Sequence, residues 1–364
     1  MKRTEVDDPR SEANLRAVVV DDSQFMRTVI GDMLEEEGIA VVEAASNGAD
    51  GVRAVERHDP DVVTMDLKMP EMDGIEAVEA IMERRPTPVL VLSAHAADGA
   101  ELTFEAMDRG AVDFFEKPSG EVSVGIKQQQ EALVETVRSV ASADLSATGA
   151  ASEHTSTRTR SASQSATYVR NPTLVVGSST GGPAVVEGLL SELPLEADLR
   201  ILIVQHMPDG FTGRFAERLD DASEYAIREA TDGARIGGGE ALVAKGGKHL
   251  RVSGYGGGRI RVSLSESEPV HNVRPAVDVT LQTAAERIDG PLGVAILTGM
   301  GADGADGVRS VAAAGGSVLA QDEETSAVFG MPQRAIETGA VDDVSPRREL
   351  AEGVLQMITK RENQ

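Results

Sequence analysis

Two groups of residues in this chain have the types and spacing for chemistry. The first is acidic. Asp21 and Asp22 follow one apolar run, Asp66 follows another, Ser93 a third, and Lys117 comes just after a fourth. Carboxylates that converge in one crevice repel each other unless a cation lies among them. Hard oxygen ligands suit Mg²⁺, which keeps several waters and binds phosphate oxygens well. Lys117 then supplies a point charge for a transferred phosphoryl group, and Ser93 a hydroxyl donor. Taken singly, Asp22-Ser23 reads as well as a helix N-cap, and Lys117-Pro118 as a surface turn. The functional reading rests on their recurring together, in order, at the ends of different runs.

The second group is nucleophilic. Leu174-Val-Val-Gly-Ser178-Ser179-Thr180-Gly-Gly182-Pro183 puts serine at a tight turn between an apolar run and a helical pattern. Such a turn exposes a hydroxyl and aims the N–H groups of a helix start at developing negative charge. A serine hydroxyl needs a neighbouring base. Of the six histidines, His206 ends an adjacent apolar run, Ile203-Val204-Gln205-His206. Asp303 closes Leu297-Thr-Gly-Met-Gly-Ala-Asp303-Gly304 and is placed to orient that imidazole. Gly177-Ser-Ser-Thr-Gly181 also fits the nucleophile-elbow pattern, although the order here runs Ser, His, Asp. Triads are recognised by geometry rather than order. A glycine loop cradling a phosphate or nucleotide at a helix start is the competing reading, and no dinucleotide fingerprint follows it.

Both groups need strand ends to hold them. Residues 15–140 alternate β-branched runs (Ala17–Val20, Ile39–Val42, Val62–Met65, Val89–Leu92, Val112–Phe115) with amphipathic stretches. One such stretch is Met26, Val29, Ile30, Met33, Leu34, after a candidate N-cap at Ser23. Continuous apolar strands separated by helices predict a parallel sheet covered on both faces, here a doubly wound (βα)5 domain. Nineteen of the 27 residues from Ala141 to Thr167 are Ala, Ser or Thr, which predicts a flexible linker over 141–168. A second α/β domain over 169–360 follows, with runs at Leu174–Val176, Ile201–Val204, Val294–Leu297 and Val318–Ala320. It reads as another doubly wound, mostly parallel sheet. Short alternating segments with glycine turns between Gly237 and Leu264 read as inserted β-hairpins.

Composition narrows the function. A formal charge of −25 argues against a nucleic-acid partner, which needs a basic footprint. There is no cysteine, so thiolate metal sites, disulfides and cysteine nucleophiles are excluded. A charged start and the lack of any long apolar run predict a cytoplasmic protein without membrane insertion. With 7 Lys against 28 Arg, the acidic surface is expected to be adapted to a salt-rich cytoplasm where counterions screen self-repulsion.

The first domain resembles the response-regulator receiver family, through Val-Val-Asp21-Asp22-Ser23, Met65-Asp66-Leu-Lys68-Met-Pro-Glu-Met-Asp73-Gly74 and Glu116-Lys117-Pro118. That resemblance implies Asp66 as phosphoacceptor. It also implies Mg²⁺ held by Asp21, Asp22, Asp66 and the Lys68 carbonyl, with Ser93, Phe114 and Lys117 as switch residues. The second domain resembles the chemotaxis protein-glutamate methylesterases of the CheB family. The matching blocks are Gly177–Gly182, Gln205–Thr212, Arg274–Asp278, Thr298–Gly304 and Gln321–Val341. The resemblance implies Ser179 as nucleophile rather than Ser178, His206 as general base and Asp303 as orienting carboxylate. Thr180 would order the site through its hydroxyl, and the Met300 N–H would serve as an oxyanion donor. The activity implied is hydrolysis of glutamate methyl esters and glutamine amides, with no cofactor for that step. Chemoreceptors would be the substrate, a chemotaxis histidine kinase the phosphodonor, and the chain a monomer. The unphosphorylated receiver would pack over the Ser179 crevice and block it. Arg274 and Asp278 match the family without an assigned role, and Pro275 reads as a helix start.

Overall fold

A computed structural model describes residues 15–93, 97–117, 126–143, 145 and 168–359. They form two units. The N-terminal unit alternates β1 Arg16–Val20, α1 Gln24–Glu36, β2 Ala40–Ala45, α2 Gly48–His58, β3 Val62–Asp66, α3 Gly74–Arg84, β4 Val89–Ser93, α4 Ala97–Asp108, β5 Asp113–Glu116 and α5 Ile126–Ala141. The strands line up as β2-β1-β3-β4-β5, every pairing parallel. β3 and β4 are buried at every residue, and their sequences are largely apolar without alternation, with Thr64, Asp66 and Ser93 the polar exceptions. Ser23, Asn47 and Asp73 cap the first three helices through their side chains, Asp73 in a reciprocal capping box with Glu76. The strand order reverses between β1 and β3, which opens the crevice at their carboxyl ends. The linker expected over 141–168 lies outside the described residues, apart from Ala141–Ala143, Leu145 and Tyr168. Ala141 itself still belongs to α5.

The C-terminal unit begins β6 Thr173–Ser178, α6 Gly182–Glu192, β7 Arg200–Gln205, α7 Thr212–Ala222, β8 Ala226–Glu229, β9 Arg235–Ile236, β10 Glu240–Val243, β11 His249–Gly256 and β12 Arg259–Ser265. It continues α8 Val277–Arg287, β13 Leu292–Ile296, α9 Ala305–Ala313, β14 Ser317–Gln321, α10 Gly330–Glu337, β15 Asp343–Ser345 and α11 Leu350–Ile358. Seven strands form one sheet, β15-β14-β13-β6-β7-β10-β8, parallel at every pairing. The order reverses at β6, which lies between β7 and β13.

The hairpin expectation for Gly237–Leu264 needs a correction. β10 is a parallel strand of the main sheet, and only β11 and β12 form a hairpin, with β9 added to β12. Gly257 and Gly258 both have positive φ, the backbone that a two-residue turn matching strand twist requires. This small sheet, α8 and the main sheet share one core that includes Leu202, Leu242, Leu250, Val262, Val277 and Leu281. Among the described residues no helix is long and apolar enough to cross a membrane.

Candidate functional site

Around β6, three loops converge because the strands that carry them are neighbours. Ser178 pairs with Gln205, and Ile296 with Gly177, so the chain leaves β6, β7 and β13 at one level. Beyond that level His206 N donates to Ser178 O at 3.0 Å, and Ser179 N donates to Thr298 O at 3.0 Å. Gly299 passes directly against the serine: a Cβ there would come within 2.7 Å of Ser179 Cβ.

The two serines differ in their surroundings. Ser178 is fully buried, and its hydroxyl donates to Gln205 Oε1. Ser179 is half-buried. Gly181, in the left-handed region at φ 73°, turns the chain into α6.

His206 Nε2 and Asp303 Oδ2 are 2.8 Å apart. Asp303 Oδ2 also accepts from Val277 N at 2.6 Å and Oδ1 from Asp278 N at 2.9 Å, so the carboxylate sits on the N-terminus of α8. Burial pushes the Asp303 carboxyl up. The His206 hydrogen bond and charge and the two backbone N–H groups outweigh that, and hold it below the usual carboxylate range. The structure therefore joins His206 directly to Asp303. It sets Ser179 and His206 at the neighbouring ends of β6 and β7, where Ser178 pairs with Gln205, and the described hydrogen bonds include none from Ser179 Oγ.

Thr180 is buried and is tied through its carbonyl, which accepts from Thr298 Oγ1 at 2.9 Å. The hydroxyl that the sequence reading assigned an ordering role makes no hydrogen bond among the described residues. Met300 lies in the Gly299–Gly301 turn, where Gly330 passes so close that a Cβ would meet Gly299 O at 2.8 Å and Gly301 N at 2.9 Å.

Sequence reasoning overlooked the amides that hold these loops. Gln205 donates from Nε2 to Ser179 O at 2.8 Å, and Gln321 Oε1 accepts from Thr298 N at 2.9 Å. Each is a buried polar residue directly after an apolar run, Ile201–Val204 or Val318–Ala320, and that signal was present in the sequence. The loop after His206 is pinned as well. Lys245 Nζ lies 3.2 Å from Asp209 and 3.1 Å from Glu229, and Thr212 Oγ1 donates to Glu229 Oε1 at 2.6 Å. Arg274 Nη1 donates to Glu266 O and Ser267 O, and the Arg274–Pro275 peptide is cis. Pro275 precedes α8 rather than opening it, since Ala276 is the cap.

In the N-terminal unit, Asp21, Asp22 and Asp66 each offer an oxygen within 4.8 Å of the others. Lys117 Nζ bridges Asp21 Oδ2 and Asp66 Oδ1, both at 2.8 Å. Burial pushes the Asp66 carboxyl up, and the Lys117 hydrogen bond and charge only partly offset this. Burial pushes the Lys117 ammonium down, but its two carboxylate partners leave it raised overall. Asp21 Oδ2 is buried and, beyond this ion pair, accepts no hydrogen bond. Three hard oxygen donors with spare acceptor capacity fit a divalent cation.

Lys68 is exposed, and its N–H approaches Asp66 Oδ1 at 3.4 Å. Ser93 is buried and accepts from Thr103 Oγ1 at 3.0 Å. Phe114 is buried edge-on to Phe104, with ring centroids 6.4 Å apart. Gly74 lies against the phosphoacceptor candidate, since a Cβ would be 2.1 Å from Asp66 O.

Two family profiles match the chain: CheB methylesterase over residues 174–354 and response regulator receiver domain over 17–124. A protein-glutamate methylesterase/protein-glutamine glutaminase of Natronomonas pharaonis is 76% identical, covering 96% of this chain and 99% of that protein. One of the same description from Haloarcula marismortui is 58% identical, over 95% and 98%. The crystal structure of the Thermotoga maritima CheB methylesterase catalytic domain is 42% identical. It aligns with a TM-score of 0.50 and covers 52% of this chain and all of that one. The chain belongs to the CheB methylesterase family, with a receiver domain ahead of the methylesterase domain.

Proposed function

We propose that the chain is a phosphorylation-controlled protein-glutamate methylesterase and protein-glutamine glutaminase, with Ser179 as nucleophile, His206 as base and Asp303 as its orienting carboxylate. The observation that carries this reading is the His206–Asp303 hydrogen bond, with His206 leaving the strand that pairs with β6 and the half-buried Ser179 in the turn that follows β6. With Nε2–H donated to Asp303, the lone pair of the imidazole is on Nδ1. Nδ1 takes the Ser179 proton as Oγ attacks the side-chain carbonyl carbon of a methylated glutamate. The tetrahedral oxyanion is met by backbone donors, with the Met300 N–H as one of them. Collapse expels methanol, which takes the proton back from His206. Water then enters by the same proton path, frees Ser179 and leaves the glutamate carboxylate. A glutamine amide follows the same course with ammonia as leaving group. Thr180 helps order this turn.

In the receiver, Asp66 accepts the phosphoryl group. Mg²⁺ held by Asp21, Asp22, Asp66 and the Lys68 carbonyl supplies charge neutralisation for the phosphoryl oxygens when bound. Lys117 and Ser93 contact the transferred group, and Phe114 reports the change of state. Phosphorylation relieves restraint on the esterase, so removing residues 1–167 raises basal activity. Cytoplasmic helical regions of chemoreceptors are the substrate, and a chemotaxis histidine kinase is the phosphodonor. Methanol release from methylated receptor membranes, measured with and without a small phosphodonor, tests the whole reading. No release in either condition ends it, and release indifferent to the phosphodonor ends the regulatory half.

A further inference from the structure

The Arg274–Asp278 block takes no part in the proton transfers above, yet Asp278 is 2% exposed and fully hydrogen-bonded. We infer that Asp278, supported by His271, is a positioning residue for the esterase reaction: its carboxylate anchors the start of α9, and so fixes Asp303 against His206. The inference rests on the Ser179–His206–Asp303 reading and adds a residue to it.

The geometry is reciprocal. Asp303, just ahead of α9, accepts from the first two N–H groups of α8, those of Val277 and Asp278. Asp278 Oδ1 in turn accepts from Gly307 N, in the first turn of α9, at 2.6 Å. Neither helix has a side-chain cap of its own: Ala276 and Gly304 occupy the cap positions without one. Each carboxylate therefore satisfies N–H groups that the other helix would leave orphaned. Gly307 permits the approach, since a Cβ there would fall 2.5 Å from Leu281 Cβ and 3.1 Å from Asp278 Oδ1.

The remaining oxygen, Asp278 Oδ2, lies 2.8 Å from His271 Nε2. His271 and Asn272 form a tight turn closed by hydrogen bonds between Val270 and Val273. Both have positive φ, at 53° and 60°. Non-glycine residues adopt that backbone at a cost, so the turn that presents His271 is held by its surroundings. Burial and the nearby Asp303 charge push the Asp278 carboxyl up, and the Gly307 N–H and His271 pull it down. The His271 hydrogen bond only partly offsets the cost of holding the two carboxylates side by side, and the Asp278 carboxyl stays raised overall. Freed of Gly307, the loop from Gly301 to Gly304 would lose its anchor on the α9 side, and the Asp303–His206 bond would loosen.

The test uses the full chain and methanol release against receptor-membrane concentration, for Asp278→Asn, His271→Gln, Asp303→Asn and the double variant Asp278→Asn/Asp303→Asn. Asp278→Asn should lower kcat about tenfold with KM within about twofold, as expected for weakening a hydrogen bond to a charged group. His271→Gln, which keeps the carboxylate, should lower kcat in the same direction by less. In the Asp303→Asn background the Asp278 change should cost less than about twofold more, because its effect passes through Asp303. A wild-type kcat in both single variants overturns the inference, and so does a full tenfold loss repeated in the Asp303→Asn background. If Ser179→Ala abolishes release while Asp278→Asn and His271→Gln do not alter it, only this inference falls. Release by Ser179→Ala at the wild-type rate removes the catalytic reading with it.

Discussion

Replacing Asp303 by asparagine keeps the side-chain volume and removes the charge that three donors converge on: His206 Nε2, Val277 N and Asp278 N. A carboxamide has one acceptor oxygen, so its NH₂ must face at least one of these N–H groups. Losing a cap typically costs about 1 kcal/mol, and losing a carboxylate from a helix N-terminus costs up to about 2 kcal/mol more. A total of roughly 1–3 kcal/mol lowers Tm of the catalytic unit by roughly 2–12 °C, at the few degrees per kcal/mol usual for that size. The chemical loss should be larger, on the order of a thousandfold or more in methanol release, because the wrong tautomer and a misoriented imidazole both follow.

The pH dependence has a definite sign. The folded-state carboxyl lies below its ordinary value, so its contribution is fully present above the unfolded value, about 3.9. It is lost as pH falls through the folded value. The stability gap between wild type and Asp303→Asn should therefore be level from neutral pH down to about pH 5 and narrow below about pH 4. Calorimetry beside the methanol assay reads both effects, with Ser179→Ala as the control that loses activity and keeps its Tm. An inactive Asp303→Asn with unchanged Tm refutes the double role of Asp303 as helix cap and imidazole partner.

Ser178→Ala should retain esterase activity and lose about 1–2 kcal/mol of stability, since Gln205 Oε1 is left without its buried donor; loss of activity there, with Ser179→Ala still active, moves the nucleophile by one residue. Asp66→Asn should abolish phosphate incorporation from acetyl phosphate, read by intact-protein mass spectrometry, and persistent labelling refutes the phosphoacceptor assignment. With a formal charge of −25, circular dichroism should show unfolding on transfer from molar KCl to dilute buffer. Full folding and activity in dilute buffer removes the salt-adaptation reading.

Strands buried on both faces are legible because they carry continuous apolar runs without alternation, as in Val62–Val63 and Val89–Leu92. Edge strands are not: β8 and β15 are short, with exposed positions, and carry no continuous apolar run. β10 was misread because Glu240–Val243 is brief and set among glycine turns, so nothing local separates a parallel strand from a hairpin arm. His206 and Asp66 stood out as candidates because each follows or ends an apolar run. What joins the candidates was not legible. Asp303 meets α8 across 26 and 25 residues of sequence, and that pairing exists only once β6, β7 and β13 lie side by side. Thr180 shows the same limit, since its side chain suggested a hydroxyl role while its carbonyl makes the observed bond.

The few lysines have a practical consequence for anyone labelling this protein. Lys117 and Lys245 each stand between two acidic groups, one at the Asp21–Asp66 crevice and one bracing the loop that follows His206. Amine-directed reagents, including common fluorophore esters and surface-coupling chemistries, meet five other lysines in this chain. The Lys117 and Lys245 ammoniums are held charged by their carboxylate partners, so such reagents should favour the other five lysines, and a single defined handle is better introduced as a cysteine, which this sequence lacks.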